Sequence, residues 1–354
     1  MTTLTKTSAG NFFEDFRVGQ EIRHAIPRTV TTGDVALYTA LTGNRFALAS
    51  SDAFARQLGL TQAPLDDLLV FHLVFGRTVP DISLNAIANL GYAQGRFGAP
   101  VYPGDTLAAS STVIGIKENS NRQTGVVYVR SVGRNQRGAM VVDYVRWVLV
   151  RKRDPQAPAP AALVPDLMDS LPASALEVEG GLDLARFDPS VTGSDHRWED
   201  YQPGERIDHV DGMTIEESCH MTATRLYQNN ARVHFNQHAE KDGRFGRRIV
   251  YGGHIISLAR ALSVNGLGNA LKLLAINGGR HTNPSFAGDT IFAWSEVLAK
   301  AELPGVAHAG ALRLRLVATK NQTAAAFPDK AADGNPDPAV VLDFDYWALL
   351  PRRQ

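Results

Sequence analysis

The sequence predicts an α+β protein built from two similar modules, each with one long apolar helix against antiparallel strands. Three observations support this fold class. Short markers recur along the chain at a nearly constant offset, each repeat contains a crowded apolar segment with helical spacing, and β-rich segments separated by turn residues follow it. A helix packed on an antiparallel meander is a stable two-layer arrangement.

The repeat consists of markers that occur in the same order in both halves. FEDFRVGQEI (Phe13–Ile22) matches WEDYQPGERI (Trp198–Ile207) at an offset of 185, and RFGAPVYPGDTL (Arg96–Leu107) matches RHTNPSFAGDTI (Arg280–Ile291) at an offset of 184. A third pair near the module ends has a larger offset, which a turn-rich insertion before the last strand explains. The markers therefore indicate two homologous modules.

The same markers predict the domain organisation. Module one is expected at residues 10–153 and module two at residues 196–354. Residues 154–195 lie between them, are rich in proline and alanine and have weak periodicity, which is typical of a linker. A short helix is expected inside this linker, around Leu163–Leu171.

Two helical segments are expected in each module. The first covers Asp34–Leu41 in module one and Ile215–Tyr227 in module two, and a polar loop separates it from a longer helix. Apolar residues crowd the longer helix enough to predict that it is buried. They are Leu68, Leu69, Phe71, His72, Leu73 and Phe75 in module one, and Ile255, Ile256, Leu258, Ala259, Leu262 and Val264 in module two.

Strands are predicted before and after the helices. Each module begins with a short turn and a stretch of β character, and about three strands close it. In module one these are TLAASSTVIGIKEN, TGVVYVRSVGRN and AMVVDYVRWVLVRK. Apolar and polar residues alternate in these segments or β-branched residues occur in runs, and turn residues separate the segments. Such a meander predicts antiparallel pairing.

Composition excludes several classes of protein. Lysine plus arginine equal aspartate plus glutamate at 36 each, so no basic field for nucleic acid is present. The single cysteine, Cys219, excludes an internal disulfide framework and a cysteine-only metal site. No apolar run suits a signal peptide or a membrane span, so a cytoplasmic protein is expected.

The loop and helix start of module two, LYQNNARVHFNQHAEKDGRFGRRIVYGGH, resemble the signature of the MaoC-like (R)-specific enoyl-CoA hydratase family. That signature reads D-x-N-P-x-H-x-D, then A-H-G-M at the start of the central helix. Asn229 stands at the first aspartate, His234 at the histidine with the same five-residue spacing, and Asn236 at the second aspartate. VYGG (Val250–Gly253) replaces A-H-G-M. The resemblance implies a double hotdog, two fused modules in which a sheet wraps around a central helix.

Module one departs further from this signature. Asn44 is equivalent to Asn229, but Ala49 and Asp67 stand where module two has His234 and Gly252. The resemblance therefore implies that module two is catalytic and module one catalytically degenerate. The segment LTGNRFALASSDAFARQLGL resembles the mesaconyl-CoA hydratases, also called β-methylmalyl-CoA dehydratases, and this likeness extends over nearly the whole chain except the linker.

Hydration of a 2-enoyl thioester requires a base for water, a proton for the α-carbon and stabilisation of the thioester oxygen. His234 is the candidate base and acid, because imidazole exchanges protons near neutral pH; alternatively it only hydrogen-bonds its loop. Asn229 can orient a water but cannot deprotonate it. Gly252 and Gly253 open a helix whose free N–H groups suit an oxyanion, or they serve only a tight turn.

A carboxylate from elsewhere is one candidate to replace the missing motif aspartate. Asp66 and Asp67 open the module-one helix and are candidates, although a helix N-cap pair is the simpler interpretation. With Arg232, Asn236 and Tyr251, they complete the expected substrate-binding residues. Arg232, like neighbouring arginines, suits a substrate carboxylate or CoA phosphate, or is an ordinary surface charge.

The resemblance implies a hydro-lyase that reversibly hydrates a short branched 2-enoyl-CoA, mesaconyl-CoA to β-methylmalyl-CoA. A hotdog acyl-CoA thioesterase and a non-catalytic acyl-CoA-binding protein are the alternatives. The expected partner is a small-molecule acyl-CoA, with no cofactor besides this substrate, no nucleic acid and no membrane, in a homodimer or higher homo-oligomer. No metal is expected, because the remaining histidines show no metal-ligand spacing; they include His72, His220, His238, His254 and His281.

Overall fold

A computed structural model, which describes residues 6–178 and 181–353, places both modules on one ten-stranded sheet in the order β1-β3-β4-β5-β2-β7-β10-β9-β8-β6. All of its neighbouring strands pair antiparallel. In chain order the strands are β1 (Glu21–Thr29), β2 (Ala86–Phe97), β3 (Thr106–Glu118), β4 (Thr124–Arg134), β5 (Met140–Arg151), β6 (Arg206–Thr214), β7 (Lys272–Arg280), β8 (Thr290–Glu302), β9 (Ala309–Lys320) and β10 (Val340–Pro351).

The described helices range in length from four to 16 residues. They are α1 (Thr32–Thr42), α2 (Ala47–Ser50), α3 (Asp52–Gln57), α4 (Asp67–Ile82), α5 (Pro189–Thr192), α6 (Glu217–Leu226), α7 (Arg232–Phe235), α8 (Gln237–Glu240), α9 (Gly252–Leu262) and α10 (Val264–Leu267). Single 3-10 turns occur at Phe13–Asp15, Ala173–Ala175, Leu184–Arg186 and Trp198–Asp200. Across residues 6–178 and 181–353, no helix has both the length and the apolar character that crossing a bilayer requires.

The helices predicted within the two modules match observed ones because their local signals are strong. Thr31 caps α1 by accepting a hydrogen bond from the backbone N–H of Asp34, and Gly43 ends the helix with φ of 67°. A left-handed residue is the usual helix stop, and glycine adopts it without strain. The long apolar segments form α4 and α9, which are buried along most of their length.

The join between the modules lies at the centre of the sheet. Strand β2 pairs with β7, with Tyr92 opposite Gly279 and Arg96 opposite Ala275. Both strands lie outside the closing strands that the sequence predicted. Strand β2 contains Gln94 at φ of 51° and several register shifts, so its side chains do not alternate cleanly. Sequence periodicity therefore missed the pair of strands that unites the halves.

The segment between the modules packs against the sheet. Leu171 is buried, its carbonyl accepts a hydrogen bond from Trp347 Nε1 at 3.1 Å, and Leu163 forms a β-bridge with Ile116. The helix expected around Leu163–Leu171 is absent, because the segment is extended and contains Pro165, whose nitrogen has no hydrogen to donate. The described part of the linker is therefore a packed strap rather than a free tether.

Candidate active site

The candidate site is built by the loop after α6 and by the start of α9. Helix α7 carries His234, whose Nδ1 lies 3.1 Å from the carbonyl oxygen of Ile249. The imidazole packs edge-on against the Tyr251 ring with centroids 5.5 Å apart. Tyr251 directly precedes Gly252, the first residue of α9. The structure thus brings His234 to the helix start, next to the glycine that the family signature also marks.

The hydrogen bond to Ile249 selects the tautomer of His234. A carbonyl oxygen only accepts, so Nδ1 carries the hydrogen and Nε2 keeps a lone pair in the neutral ring. Among the described residues, Nε2 has no hydrogen-bond partner. Burial lowers the pKa of His234 to about 4, against the opposing effect of the Ile249 carbonyl. At neutral pH the residue is therefore an uncharged base with a free acceptor nitrogen.

Asn229 is buried beside this loop. Its Oδ1 accepts a hydrogen bond from the Ala231 backbone N–H at 3.1 Å, which shapes the entry into α7. Its Nδ2 contacts no acceptor in residues 6–178 and 181–353. The side chain therefore offers two N–H donors, which suit the oxygen of a water or of a substrate hydroxyl.

The first turn of α9 has unpaired amides. Tyr251 provides no side-chain cap, and within the described chain the backbone N–H groups of Gly252 and Gly253 donate to no protein acceptor. A methyl group on Gly252 would lie 2.5 Å from the His281 ring, and one on Gly253 would lie 2.4 Å from the Tyr251 ring. Glycine at both positions thus allows these rings to pack closely against the helix start. Two free donors at a helix start suit developing negative charge.

The equivalent residues of module one already have hydrogen-bond or ion-pair partners within the protein. Asn44 donates from Nδ2 to Asp66 at 2.8 Å, so its amide is not free. Asp66 also caps α4 by accepting from the Leu68 N–H at 2.9 Å. Asp67 accepts from the Leu273 N–H at 2.9 Å and pairs with a lysine of β7. Both carboxylates border a cavity of about 20 Å³, large enough for one water, which Ala49 also lines.

The remaining predicted substrate-binding residues differ in their surroundings. Tyr251 is 4% exposed and its ring covers the helix start. Asn236 caps α8 by accepting from the Ala239 N–H at 3.0 Å. Arg232 is exposed on α7. The nearby Arg248 forms an ion pair with Glu217. Of this set, Tyr251 is the residue that the structure places in contact with the imidazole of His234.

Histidines that looked scattered in the sequence gather around α9. His281 packs on Gly252 and its Nε2 lies 3.3 Å from the Tyr92 hydroxyl. His72 contacts Tyr251 edge-on with centroids 5.6 Å apart. Within the described residues these rings form no set of three metal ligands. His281 follows the Arg280 marker of the repeat, which is the one sequence signal that could have drawn attention to it.

Histidines with lowered pKa values predict that stability depends on pH. Burial lowers the pKa of four of them to about 4, from 6.5: His209, His234, His254 and His281. Between these two pH values the unfolded chain binds more protons than the folded one, so the free energy of unfolding falls as pH decreases. We expect the melting temperature to be level above pH 6.5 and to drop progressively toward pH 4. Differential scanning fluorimetry across this range measures the effect.

Two histidine variants test the origin of this pH dependence. His254→Gln removes a 1% exposed imidazole and should make the decrease shallower, whereas His238→Gln changes an exposed residue and should leave it unchanged. A melting temperature that stays level down to pH 4.5 would contradict the assignment.

Comparison with known proteins places the chain in a family. The mesaconyl-CoA hydratase family model matches residues 2–331, a range that includes the segment between the modules. The chain is 67% identical to β-methylmalyl-CoA dehydratase of Chloroflexus aurantiacus over 98% of its own length and 99% of the relative's. It is 61% identical to mesaconyl-CoA hydratase of Cereibacter sphaeroides over 98% of its length and 100% of the relative's.

Solved structures agree with the predicted architecture. A crystal structure of a protein described as a MaoC domain dehydratase from Chloroflexus aurantiacus superimposes with a TM-score of 0.97 at 66% identity, covering 99% of this chain and 100% of that one. A Mycobacterium tuberculosis protein with a double hotdog fold gives a TM-score of 0.76 at 25% identity, covering 96% and 98%. The double-hotdog prediction is confirmed, and the chain belongs to the mesaconyl-CoA hydratase family.

Proposed function

We propose that this protein reversibly hydrates mesaconyl-CoA to β-methylmalyl-CoA, with the chemistry carried out by module two. The choice of substrate is supported by the two relatives, which are named for the two directions of this reaction and match nearly end to end. The chemistry is supported by one structural observation. A neutral imidazole with an unpaired Nε2 lies at a helix start whose first two amides are unpaired among the described residues.

The proposed hydration step moves one water across the double bond. His234 Nε2 accepts a proton from water as the water oxygen bonds to the β-carbon. Electron density shifts to the thioester oxygen, which the Gly252 and Gly253 N–H groups stabilise; one such donor typically contributes about 3 kcal/mol. The imidazolium then returns its proton to the α-carbon, so the product contains every atom of the water. The reverse sequence eliminates water.

Asn229 is proposed to hold the attacking water. Its Oδ1 is committed to Ala231, so the Nδ2 hydrogens are the available contacts. Donation to the water oxygen orients its lone pair toward the β-carbon, while His234 acts as the sole base. The scheme involves no net oxidation or reduction of the substrate. We therefore propose that the reaction requires no cofactor besides the CoA carried by the substrate.

An assay of the purified protein against a panel of enoyl-CoA thioesters tests this proposal. Mesaconyl-CoA is expected to give the highest kcat/KM, ahead of crotonyl-CoA and a long-chain enoyl-CoA, with loss of enoyl-thioester absorbance and no release of free thiol. Release of free CoA thiol would instead identify a thioesterase. Binding of acyl-CoA without any turnover would identify a binding protein. Either outcome contradicts the proposed reaction.

A further inference from the structure

A buried chain of hydrogen bonds connects the two modules beneath the candidate site. The Tyr251 hydroxyl lies 3.5 Å from Nδ1 of His72, and Nε2 of His72 lies 2.9 Å from Oγ of Ser257. The Tyr38 hydroxyl lies 3.0 Å from the same Oγ and 3.2 Å from Oδ1 of Asp66. The chain therefore begins at the residue that packs on the base and ends at a carboxylate of the degenerate module.

The members of this chain are shielded from solvent. The exposed fraction is 4% for Tyr251, 0% for His72, 1% for Ser257 and 2% for Tyr38. Buried polar groups without partners are costly, so each hydrogen in such a chain has a defined acceptor. Tyr38 and Ser257 lie on different modules, as do His72 and Tyr251. The chain thus crosses the interface between modules more than once.

Asp66 determines the direction of every hydrogen in the chain. The carboxylate is surrounded by donors, since the Leu68 N–H at 2.9 Å and the Asn44 side-chain amide at 2.8 Å both donate to it. Burial raises the pKa of Asp66, whereas donation from the Leu68 N–H and from the Tyr38 hydroxyl favours its carboxylate form. In that form the group only accepts, so the single hydrogen of Tyr38 points to Asp66. Tyr38 then has no hydrogen left for its 3.0 Å contact with Ser257, so the Ser257 hydroxyl donates there.

The remaining donors follow from the same rule. His72 must donate from Nε2 to Ser257, which leaves its Nδ1 as an acceptor for the Tyr251 hydroxyl. Burial keeps the pKa of His72 well below its usual value, so the ring is neutral and has one donor and one acceptor. With these donors and acceptors the Tyr251 hydroxyl donates to His72 Nδ1, and this contact directs the hydroxyl toward module one.

From this geometry we infer that Asp66 is a positioning residue for catalysis in module two, acting through Tyr38, Ser257 and His72 on Tyr251. The Tyr251 ring contacts both the His234 imidazole and the position of Gly253, so it spaces the base from the amides. The inference rests on the proposed function. It also gives a role to the carboxylate of the module that has lost its own histidine equivalent.

Removing the hydroxyl of Tyr38 separates the positioning role of Asp66 from a role in packing alone. Tyr38→Phe removes the link between Asp66 and Ser257 and leaves the α4 cap in place. Because misplacement of catalytic groups lowers the rate of the chemical step, we expect kcat on mesaconyl-CoA to fall about 10-fold. KM should change less than about threefold, because binding of the CoA moiety is untouched. Tyr346→Phe is the control, since that hydroxyl is buried and has no hydrogen-bond partner in the described residues.

A second deletion tests whether the groups act as one unit. Ser257→Ala should lower kcat by a similar factor, and the double variant Tyr38→Phe/Ser257→Ala should be no slower than the slower single variant. If the kcat losses of the two single variants multiplied in the double variant, the residues would not act through one hydrogen-bond chain. A Tyr38→Phe enzyme with wild-type kcat, or a Tyr346→Phe enzyme that loses as much, would also overturn the inference.

A measurement without substrate distinguishes failure of the inference from failure of the proposed function. Nitrogen NMR of histidine-labelled protein reports the tautomer of each neutral imidazole, and His72→Gln assigns the signal. We expect the Nε2–H tautomer for His72 in the wild type and a different signal in Tyr38→Phe. An Nδ1–H tautomer overturns the chain whatever the enzyme's activity. Wild-type protein inactive on mesaconyl-CoA but with the expected tautomer contradicts only the proposed reaction and the catalytic role of Asp66.

Discussion

Replacement of His234 by alanine is expected to lower kcat for mesaconyl-CoA hydration by about 10²- to 10⁴-fold, the usual contribution of a general acid–base group. His234 presents the unpaired Nε2 at the start of α9, and Asn229 cannot accept a proton in its place. KM should change little, because the imidazole acts mainly in the transition state. Steady-state kinetics from enoyl-thioester absorbance, together with the circular dichroism spectrum, measure the effect.

The matched control for this variant is His238→Ala. His238 lies four residues further along, on α8, and is exposed. It should retain wild-type kinetics. If His234→Ala kept its turnover within twofold of wild type while folded, the imidazole would not be the base, and the proposed proton transfer would have to be abandoned.

Replacement of Gly76 by alanine is expected to cause the largest loss of stability. A methyl group there would lie 1.8 Å from the Tyr227 carbonyl oxygen and 2.9 Å from its carbonyl carbon. These are backbone atoms, so α4 and the loop leading to Asn229 would have to separate. Overpacking of a core usually costs about 1–3 kcal/mol, and we expect the free energy of unfolding to fall by at least about 3 kcal/mol. Urea denaturation followed by tryptophan fluorescence measures the loss.

Gly278→Ala provides the comparison for Gly76. Gly278 lies in β7 at the join between modules, and the nearest atom to an added methyl is the Tyr92 carbonyl oxygen at 3.9 Å, an ordinary contact. Its free energy of unfolding should stay within about 1 kcal/mol of wild type. Equal urea midpoints for Gly76→Ala and the wild type would show that α4 and the loop move apart without cost.

The parts of the fold that the sequence predicted are those with strong local patterns. Helices α4 and α9 are dense with apolar side chains, and strands β3 to β5 are β-rich runs bounded by turns. The β2–β7 pairing was not predictable in this way, since it joins residues that are far apart in the chain and runs through glycines. Burial of Leu171 and its neighbours likewise depends on a surface that only the folded sheet provides.

The site residues likewise differ in how far the sequence could predict them. The resemblance to the family signature marked His234 and Gly252 together, because one loop and one helix start carry both. His72 and His281 come from other elements and reach the site only through packing. The sequence suggested Asp66 as a substitute for the missing aspartate. The structure instead shows a helix cap whose connection to the site runs through three other side chains.

His72 and Ser257 form a hydrogen bond with each other. They are 185 positions apart in the sequence, the same offset that separates Asp15 from its copy Asp200. They are therefore the same position in the two copies of the repeat, meeting near the axis that relates them. An assembly of two identical polypeptides would have to present two histidines or two serines there. Covalent duplication removes that constraint, so mutation can make one copy the donor and the other the acceptor.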